Sequence, residues 1–503
     1  MRDNVALIKN SIYLITKLIV TLIVSLYCSR LILQELGVVD YGIYNVVGGI
    51  VTMLTFVTGS MAQATQRFFS FDLGKDAKSI NKVYSTSINI YMLIIFVVLI
   101  ISQTIGLWAF ENVIVLPEER IESAYWVYQI SVLTFVFAII SLPFNALMLA
   151  YERMKVYSIF GMVSIVLKLI MVLSLSLFQY EKIIVYSFLI LVLNLVMTMM
   201  PIFYKVTKIP EVKYERYFDK GLSKRILSYS GWNLFGSLSA VGMNQGGNIL
   251  LNTFFGPSIN ASRAIAMQVN SAIVGFTSNI NTAINPQIVK RYSSEDYTRM
   301  KTLILNGARY STLVMIVIGT PILFFTEQLI LFWLGSVPDY TVMFTKLVII
   351  DSIICSLSGT LITTIQATGK IRNYQIVVGG ILLCNIPISY YLLSNDNNPS
   401  IPLVVMIFLS ILAMNARLYF ARKFISLSYR EFYLKVIYRS AIALIFSFGS
   451  IYLALYYVNV NFLISFPLSF VFSAISVVIF GLDKQEKIFL ASLAPFLKLN
   501  KLN

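Results

Sequence analysis

Long apolar runs, separated by short polar segments, recur from one end of the chain to the other. Many exceed the ~18 residues that mark a helix able to cross a bilayer. The pattern predicts an all-α polytopic membrane protein with about fourteen transmembrane helices. They fall near 11–33, 42–64, 84–110, 124–150, 156–178, 183–204, 226–254, 260–288, 303–325, 342–367, 376–394, 401–420, 438–457 and 463–481. The seventh and eighth carry the weakest apolar signal, being rich in Asn, Gln and Gly. The first run, Ser11 to Leu33, is too long for a cleavable signal peptide and lacks a small-x-small cleavage site, so it is expected to stay as a span. Composition agrees: the chain is 58% hydrophobic and 12% charged.

Charge sets the expected orientation. With the N-terminus cytoplasmic, the outer loops hold two cations, Arg120 and Lys182, and nearly all others outside the spans lie on the inner side. The outer loops carry acids, among them Glu111, Glu118, Glu119 and Glu122. The positive-inside rule predicts this asymmetry, and an even span count puts both termini in the cytoplasm. The net charge of +16 is therefore mainly a topology signal and does not point to nucleic acid. The longest basic segment, 205–225, is expected to touch anionic lipid headgroups. No loop is long enough for a soluble domain. The stretch Lys484–Asn503 alternates apolar and basic residues, as in a short interfacial helix. Cys28, Cys355 and Cys384 all fall within spans and give no disulfide framework.

The basic segment divides the chain. Residues 1–204 form a predicted N-terminal six-helix lobe, 205–225 a basic cytoplasmic linker, and 226–420 a C-terminal six-helix lobe. Residues 421–503 supply two further helices and a tail. A weak repeat links the lobes. Asn45, Thr52, Gln63 and Arg67 in span two share their spacing with Arg263, Asn270, Asn281 and Asn285 in span eight. At ~100° per residue each set keeps to one narrow helical stripe. Span seven adds Asn244, Asn248 and Asn252 at i, i+4 and i+8, beside Gly242, Gly246 and Gly247. Small residues and amides can serve helix packing alone. Three such stripes favour a solvated cavity between two lobes, a common transporter plan.

Four local motifs stand out: Leu36-Gly37-Val38-Val39-Asp40-Tyr41-Gly42-Ile43-Tyr44, Ala64-Thr65-Gln66-Arg67-Phe68, Ala150-Tyr151-Glu152-Arg153-Met154-Lys155 and Gln366-Ala367-Thr368-Gly369-Lys370. In these the chain resembles the Wzx-like polysaccharide (O-antigen) flippases of the MOP superfamily. None is a catalytic signature; their order across nearly the whole chain carries the resemblance. It implies two pseudo-symmetric bundles of six helices plus two C-terminal helices. It also implies a cargo of undecaprenyl-pyrophosphate-linked oligosaccharide, flipped to the periplasmic leaflet of a bacterial inner membrane for surface polysaccharide synthesis. The polysaccharide polymerase machinery is a further candidate partner.

The buried charges bear on that expectation. Lys17, Arg30, Lys168, Arg263, Arg309, Lys346 and Arg417 fall inside spans, and Asp351 is the one acid there. A cation at the bilayer centre costs ~2.5–3.5 kcal/mol on insertion scales, so such residues snorkel or line a cavity. Arg309, Arg417 and Lys346 lie near span ends and read as snorkelling residues. Arg30, Arg263, Lys168 and Lys17 form the candidate cationic set for a pyrophosphate, with bidentate Arg and mobile Lys as its natural partners. Asn45, Thr52, Gln63, Asn244, Asn248, Asn252, Asn270 and Asn281 are candidate polar lining for sugars. Asp351 is either half of a structural ion pair or a coupling site for H+ or Na+; with no histidine in the chain, it is the one deep titratable candidate. No metal site, cofactor or catalytic constellation is expected. Two other readings stay open. One is a MATE-type cation-coupled exporter of the same superfamily, whose cationic cargo calls for acids in the spans. The other is a membrane glycan polymerase or ligase, which calls for a large outer loop that this chain lacks.

Overall fold

A backbone surrounded by hydrocarbon has no water to bond, so its polar groups must be satisfied within the segment. In the computed structural model of the chain, every regular element among the described residues is a helix. The structure describes residues 55–75, 80–112, 118–216, 219–255, 257–335, 337–457, 461–484 and 486–487, with individual positions between 13 and 47. Nine helices among these are long and apolar enough to cross a membrane, or ten if one bent pair counts as a single span. The ten coincide with predicted spans three to six and nine to fourteen. Predicted spans seven and eight are helices of 36 and 37 residues, long enough to cross, whose amides and glycines dilute their apolarity. Predicted span one, and span two before residue 55, are described at individual residues, all of them helical, and nearly all of the expected C-terminal interfacial helix lies outside the described residues.

The chain resolves into two units, Met1–Leu238 with Thr282–Asp296, and Ser239–Asn281 with Tyr297–Asn503. The first contains α1 (Thr55–Lys75), α2 (Ile80–Ile101), α3 (Ile121–Ala150), α4 (Met154–Ser174) and α5 (Lys182–Lys208). The long helices α6 (Lys220–Phe255) and α7 (Pro257–Ser293) contribute residues to both units. The second unit holds α8 (Tyr297–Phe324), α9 (Thr326–Leu334), α10 (Thr341–Ser356), α11 (Gly359–Thr368), α12 (Arg372–Leu383), α13 (Asn385–Asn395), α14 (Ile401–Ile425), α15 (Arg439–Tyr457) and α16 (Phe462–Ser476).

In the first unit α3 packs along α5 and against α1. Tyr128 of α3 donates to the Ser102 carbonyl at 2.6 Å, where α2 widens into a π turn at Ser102–Gly106. A side chain placed in the i→i−4 ladder is a usual cause of such a turn. Gly106 is required there, since a Cβ would collide with the Tyr128 hydroxyl. The two outer cations foreseen from sequence are both neutralised. Lys182 binds Glu35 at 2.8 Å and Arg120 binds Asp40 at 3.3 Å. Asp40 thus ties the first recognised motif to the start of α3.

The basic connection after α5 is not a loose tether. Asn81, Ser85 and Asn89, at i, i+4 and i+8 on α2, hold it in place. Lys213 N–H donates to Asn81 Oδ1 at 3.0 Å, Glu215 N–H to Ser85 Oγ at 2.8 Å, and the Tyr214 hydroxyl to Asn89 Oδ1 at 2.9 Å. Ile209 and Val212 are buried beneath it. At the α3–α4 corner Glu152 adopts a left-handed backbone, φ 57°. Its carboxylate accepts from Lys290 at 3.0 Å and Gln287 at 2.9 Å, both on the last turns of α7.

In the second unit α8 is the buried centre. Ile273, Met315, Ile322, Leu323 and Ile349 form one core around it, and Leu313, Ile316, Ala443 and Val477 another. The last two helices join this core through small polar residues, a common membrane packing mode. Ser447 donates to Ser473 at 2.7 Å, Ser450 and Ser476 share a 3.0 Å bond, and Ser473 donates to the Ile316 carbonyl at 3.3 Å.

Arg309 on α8 is only 3% exposed, so it does not snorkel to water. Its guanidinium meets carboxylates that follow α16, pairing with Asp483 Oδ2 at 3.1 Å and with Glu486. Arg439 also binds Asp483, and the Tyr310 hydroxyl donates to Glu486. Partial burial alone would raise the Asp483 pKa. Hydrogen bonds from Arg439 and Arg309, with their charges, hold it below the ordinary carboxylate range instead.

Removing both carboxylates by Asp483→Asn and Glu486→Gln leaves a buried, uncompensated guanidinium. The expected loss is on the order of 3–5 kcal/mol, and Arg309→Met loses less; thermal unfolding of the purified protein measures both. The pH dependence follows from the depressed folded value. Asp483 stabilises the fold above about pH 3.9, its unfolded range, and that contribution is lost as pH falls through the lower folded value. The Tm gap between wild type and Asp483→Asn should therefore hold from pH 7 to about 5 and close in stronger acid.

Candidate functional site

Two polar sites occupy the second unit, and each rests on a charge the sequence had singled out. The first is Arg263, near the start of α7. Its side chain is 2% exposed. Nη1 donates to Asn248 Oδ1 at 2.8 Å, and Asn248 in turn donates to Gln245 Oε1 at 2.7 Å, which fixes the amide's direction. The guanidinium lies flat on Gly247, where a Cβ would sit 2.7 Å from Nη1. Gly246 and Gly242 take up Ile386 and Leu383 in the same way. The glycines of α6 thus make a groove in which a bulky head fits against backbone. Among the described residues no carboxylate pairs with Arg263, and its Nε is buried without a hydrogen-bond partner. A buried cation held by one neutral amide retains most of its capacity to bind an anion.

The second site is Asp351 on α10, 8% exposed. Cys355, one turn on, places Sγ 3.7 Å from Asp351 Oδ2 and 3.7 Å from the Ser410 hydroxyl on α14. Asp351 Oδ1 is buried without a hydrogen-bond partner. Arg417, two turns beyond Ser410 on α14, forms no ion pair among the described residues, and its Nε is buried without a hydrogen-bond partner. The neighbouring Ser352 donates to Asn270 at 2.6 Å, so the polar stripe of α7 reaches the turn that bears Asp351. Just past Cys355 the helix bends by 43° into α11. Ser356 bonds back to the Ile353 carbonyl at 2.6 Å and to Thr312 at 3.0 Å, and Ser358 is buried with an unpartnered hydroxyl. Such back-bonding bends helices. Gly359 admits the Asn281 amide, which also accepts from Ser311 at 3.3 Å. Gly369 ends α11 at φ 75°, which accounts for the glycine of the fourth motif.

The other predicted residues are placed as follows. Asn244 donates to the Ala240 carbonyl of its own helix at 3.0 Å. In the first unit Gln63 accepts from Asn233 at 3.0 Å. Lys17 places its ammonium 4.2 Å from the Tyr157 ring centre and its methylenes on Gly161. Lys168 is half-buried on α4, within electrostatic range of Cys28. Arg30, Asn45, Thr52 and the Asn252 side chain lie outside the described residues. Sequence reasoning missed Asn233, eleven residues before Asn244 on the same helix, and the Cys355–Ser410 bridge, where neither residue is remarkable alone.

These helices, in this order, are shared with solved transporters. A structure described as an outward-facing multidrug resistance MATE family transporter of the MOP superfamily matches with a TM-score of 0.73 at 12% identity. Another, described as MATE in the bent conformation, matches with a TM-score of 0.72 at 13% identity. Each match covers 84% of this chain and 95% of the other. The chain has the MATE transporter fold. The MatE family model matches residues 234–391, the stretch that contains Arg263, Asn270, Asn281 and Asp351. A MOP superfamily transporter from Pyrococcus furiosus, described as having a binding pocket of reverse polarity that suggests a different function, also shares the MATE fold. It matches with a TM-score of 0.70 at 11% identity, over 83% of this chain and 96% of its own. Comparison of the sequence with curated proteins finds no match.

Gly247→Ala is expected to push the guanidinium off Asn248 and destabilise the protein by ~1–3 kcal/mol, the usual range for overpacking. In an Arg263→Ala background the same change should cost clearly less. Equal losses of thermal stability in the two backgrounds would contradict the packing described.

Proposed function

We propose that this chain is a MOP-superfamily membrane transporter that works by alternating access, in the manner of a MATE-type ion-coupled exporter. The observation that carries the reading is Asp351: a nearly buried carboxylate inside a matched MATE region, met by the Cys355 thiol, with Oδ1 unpartnered and no ion-paired cation among the described residues. Such a group can take up and release H+ or a small cation during a cycle, so it is the proposed coupling site. Proteins of the MATE family are transporters and not enzymes, and the cycle needs no cofactor beyond the coupling ion. The proposed frame is two six-helix lobes, residues 1–204 and 226–420, with 421–503 attached, both termini cytoplasmic and the chain in a bacterial inner membrane.

A second reading concerns the cargo, and Arg263 favours it. A buried cation without an acid partner is the wrong charge for a cationic drug and the right one for a phosphate. On this reading the cargo is an undecaprenyl-pyrophosphate-linked oligosaccharide, flipped from the cytoplasmic to the periplasmic leaflet. Arg263 and Lys168, with Arg30 and Lys17, would meet the pyrophosphate. Asn248, Asn270 and Asn281 would meet sugar hydroxyls, and the lipid tail would remain in the bilayer.

Proteoliposomes separate the two. One probe is a cationic dye, the other a fluorescent lipid-linked oligosaccharide pyrophosphate. Asp351→Asn is expected to abolish gradient-driven movement of whichever probe is carried. Arg263→Ala should lower lipid-probe flipping by about tenfold or more, the equivalent of one charged hydrogen bond at ~1.5–3 kcal/mol, and leave dye export unaffected. Dye export without lipid flipping rejects the flippase reading; wild-type flipping in Arg263→Ala, Arg30→Ala and Lys168→Ala alike rejects the cationic site.

A further inference from the structure

Seven residues return an α-helix to nearly the same face, so Asn270 shares the Arg263 stripe of α7 and stands ~10 Å further along its axis. Asn270 Oδ1 accepts from the Ser352 hydroxyl of α10 at 2.6 Å. That separation fits an O–H···O bond and falls below the ~2.7–3.2 Å of N–H···O. The amide therefore turns its carbonyl, not its nitrogen, toward Ser352. The bond is set in a packed seam. Ile273, one turn past Asn270, and Ile349, one turn before Ser352, are buried in one core, with Val269 and Ile353 against it. Ser352 is itself buried, and Asn270 is half-buried. With its carbonyl engaged, Asn270 keeps the two hydrogens of Nδ2, which meet no acceptor among the described residues. Arg263 carries donors alone. At these two positions the stripe has hydrogen-bond donors to give and no unengaged acceptor.

From this arrangement we infer that Ser352 sets the polarity of the stripe: it turns the Asn270 amide so that α7 recognises an acceptor oxygen of the cargo about 10 Å from the phosphate at Arg263. This rests on the reading of Arg263 as the anion site. The two phosphates of one pyrophosphate lie far closer together than that, so the second contact falls on the glycan, at a hydroxyl, carboxylate or amide carbonyl oxygen. A group that only donates, such as an ammonium, would face N–H against N–H at Asn270 and lose its water without replacement. Asn270 touches the cargo and determines specificity. Ser352 acts through Asn270 and is a positioning residue; without its hydroxyl the amide is free to turn and present its carbonyl.

Two fluorescent probes, flipped by the full-length protein in proteoliposomes, test this: a lipid-linked oligosaccharide pyrophosphate and the same lipid pyrophosphate without the glycan. Wild type is expected to show the lower KM for the glycosylated probe. Asn270→Leu, close in size but without a donor, should raise that KM about fivefold, the weight of one hydrogen bond, and leave the KM of the bare probe unchanged. Ser352→Ala should shift the same KM in the same direction, and Ser352→Thr, which keeps the hydroxyl, should restore it. Arg263→Ala should weaken both probes alike. A folding defect lowers the maximal rate for both probes without separating their KM values. While both probes still depend on Arg263, three results overturn the inference and leave the anionic-cargo reading standing. They are equal KM values for the two probes in wild type, a KM that Asn270→Leu leaves unmoved or raises equally for both, and a Ser352→Ala protein that matches wild type. Flipping of neither probe by wild type, or of both undiminished in Arg263→Ala, overturns that reading and the inference with it. The wild-type comparison stands even where a variant fails to fold.

Discussion

A charge removed from water must be met by something, and this constraint organises much of the described structure. Arg309 meets two carboxylates delivered from beyond the last helix. Lys182 and Arg120 meet the acids of a single short segment, Glu35 and Asp40. Lys17 meets an aromatic face. Against that background Arg263 and Asp351 stand apart. Each is nearly buried, and each is held by neutral groups and by no ion pair among the described residues. Stability alone favours replacing such residues with apolar ones. Their presence in the stretch matched by the MatE model is what directs attention to transport.

The helices themselves were legible because hydrocarbon imposes a simple rule on length and apolarity. The stretches that dilute this signal, α6 and α7, are the ones that carry the polar sites, so a weak span and a functional helix are here the same observation. The stripe in α7 was also readable, since helical periodicity alone puts Arg263, Asn270 and Asn281 on one side. What those side chains touch was not readable. Asn270 finds Ser352 and Asn281 finds Ser311, residues 82 and 30 positions away. Serine and cysteine look inert in a hydropathy profile, yet Ser410 and Cys355 define the surroundings of Asp351.

Arg309 shows where position within a span misleads. It lies near a predicted helix end, where a long side chain ordinarily reaches water. Its ion pairs come from a tail segment that hydropathy reads as polar and unrelated. The basic connection after α5 is a similar case: composition marks it as a charged linker, whereas three polar residues of α2 at one-turn intervals hold it as a fixed strap.

Glu152 carries a last consequence. Its backbone lies in the left-handed region, where a non-glycine residue is strained by ~1–2 kcal/mol and glycine is not. A glycine would relax the corner but has no side chain to accept from Lys290 and Gln287. The glutamate thus exchanges a relaxed backbone for two long-range bonds, so strain at the α3–α4 corner and the tie to the end of α7 are two sides of one residue.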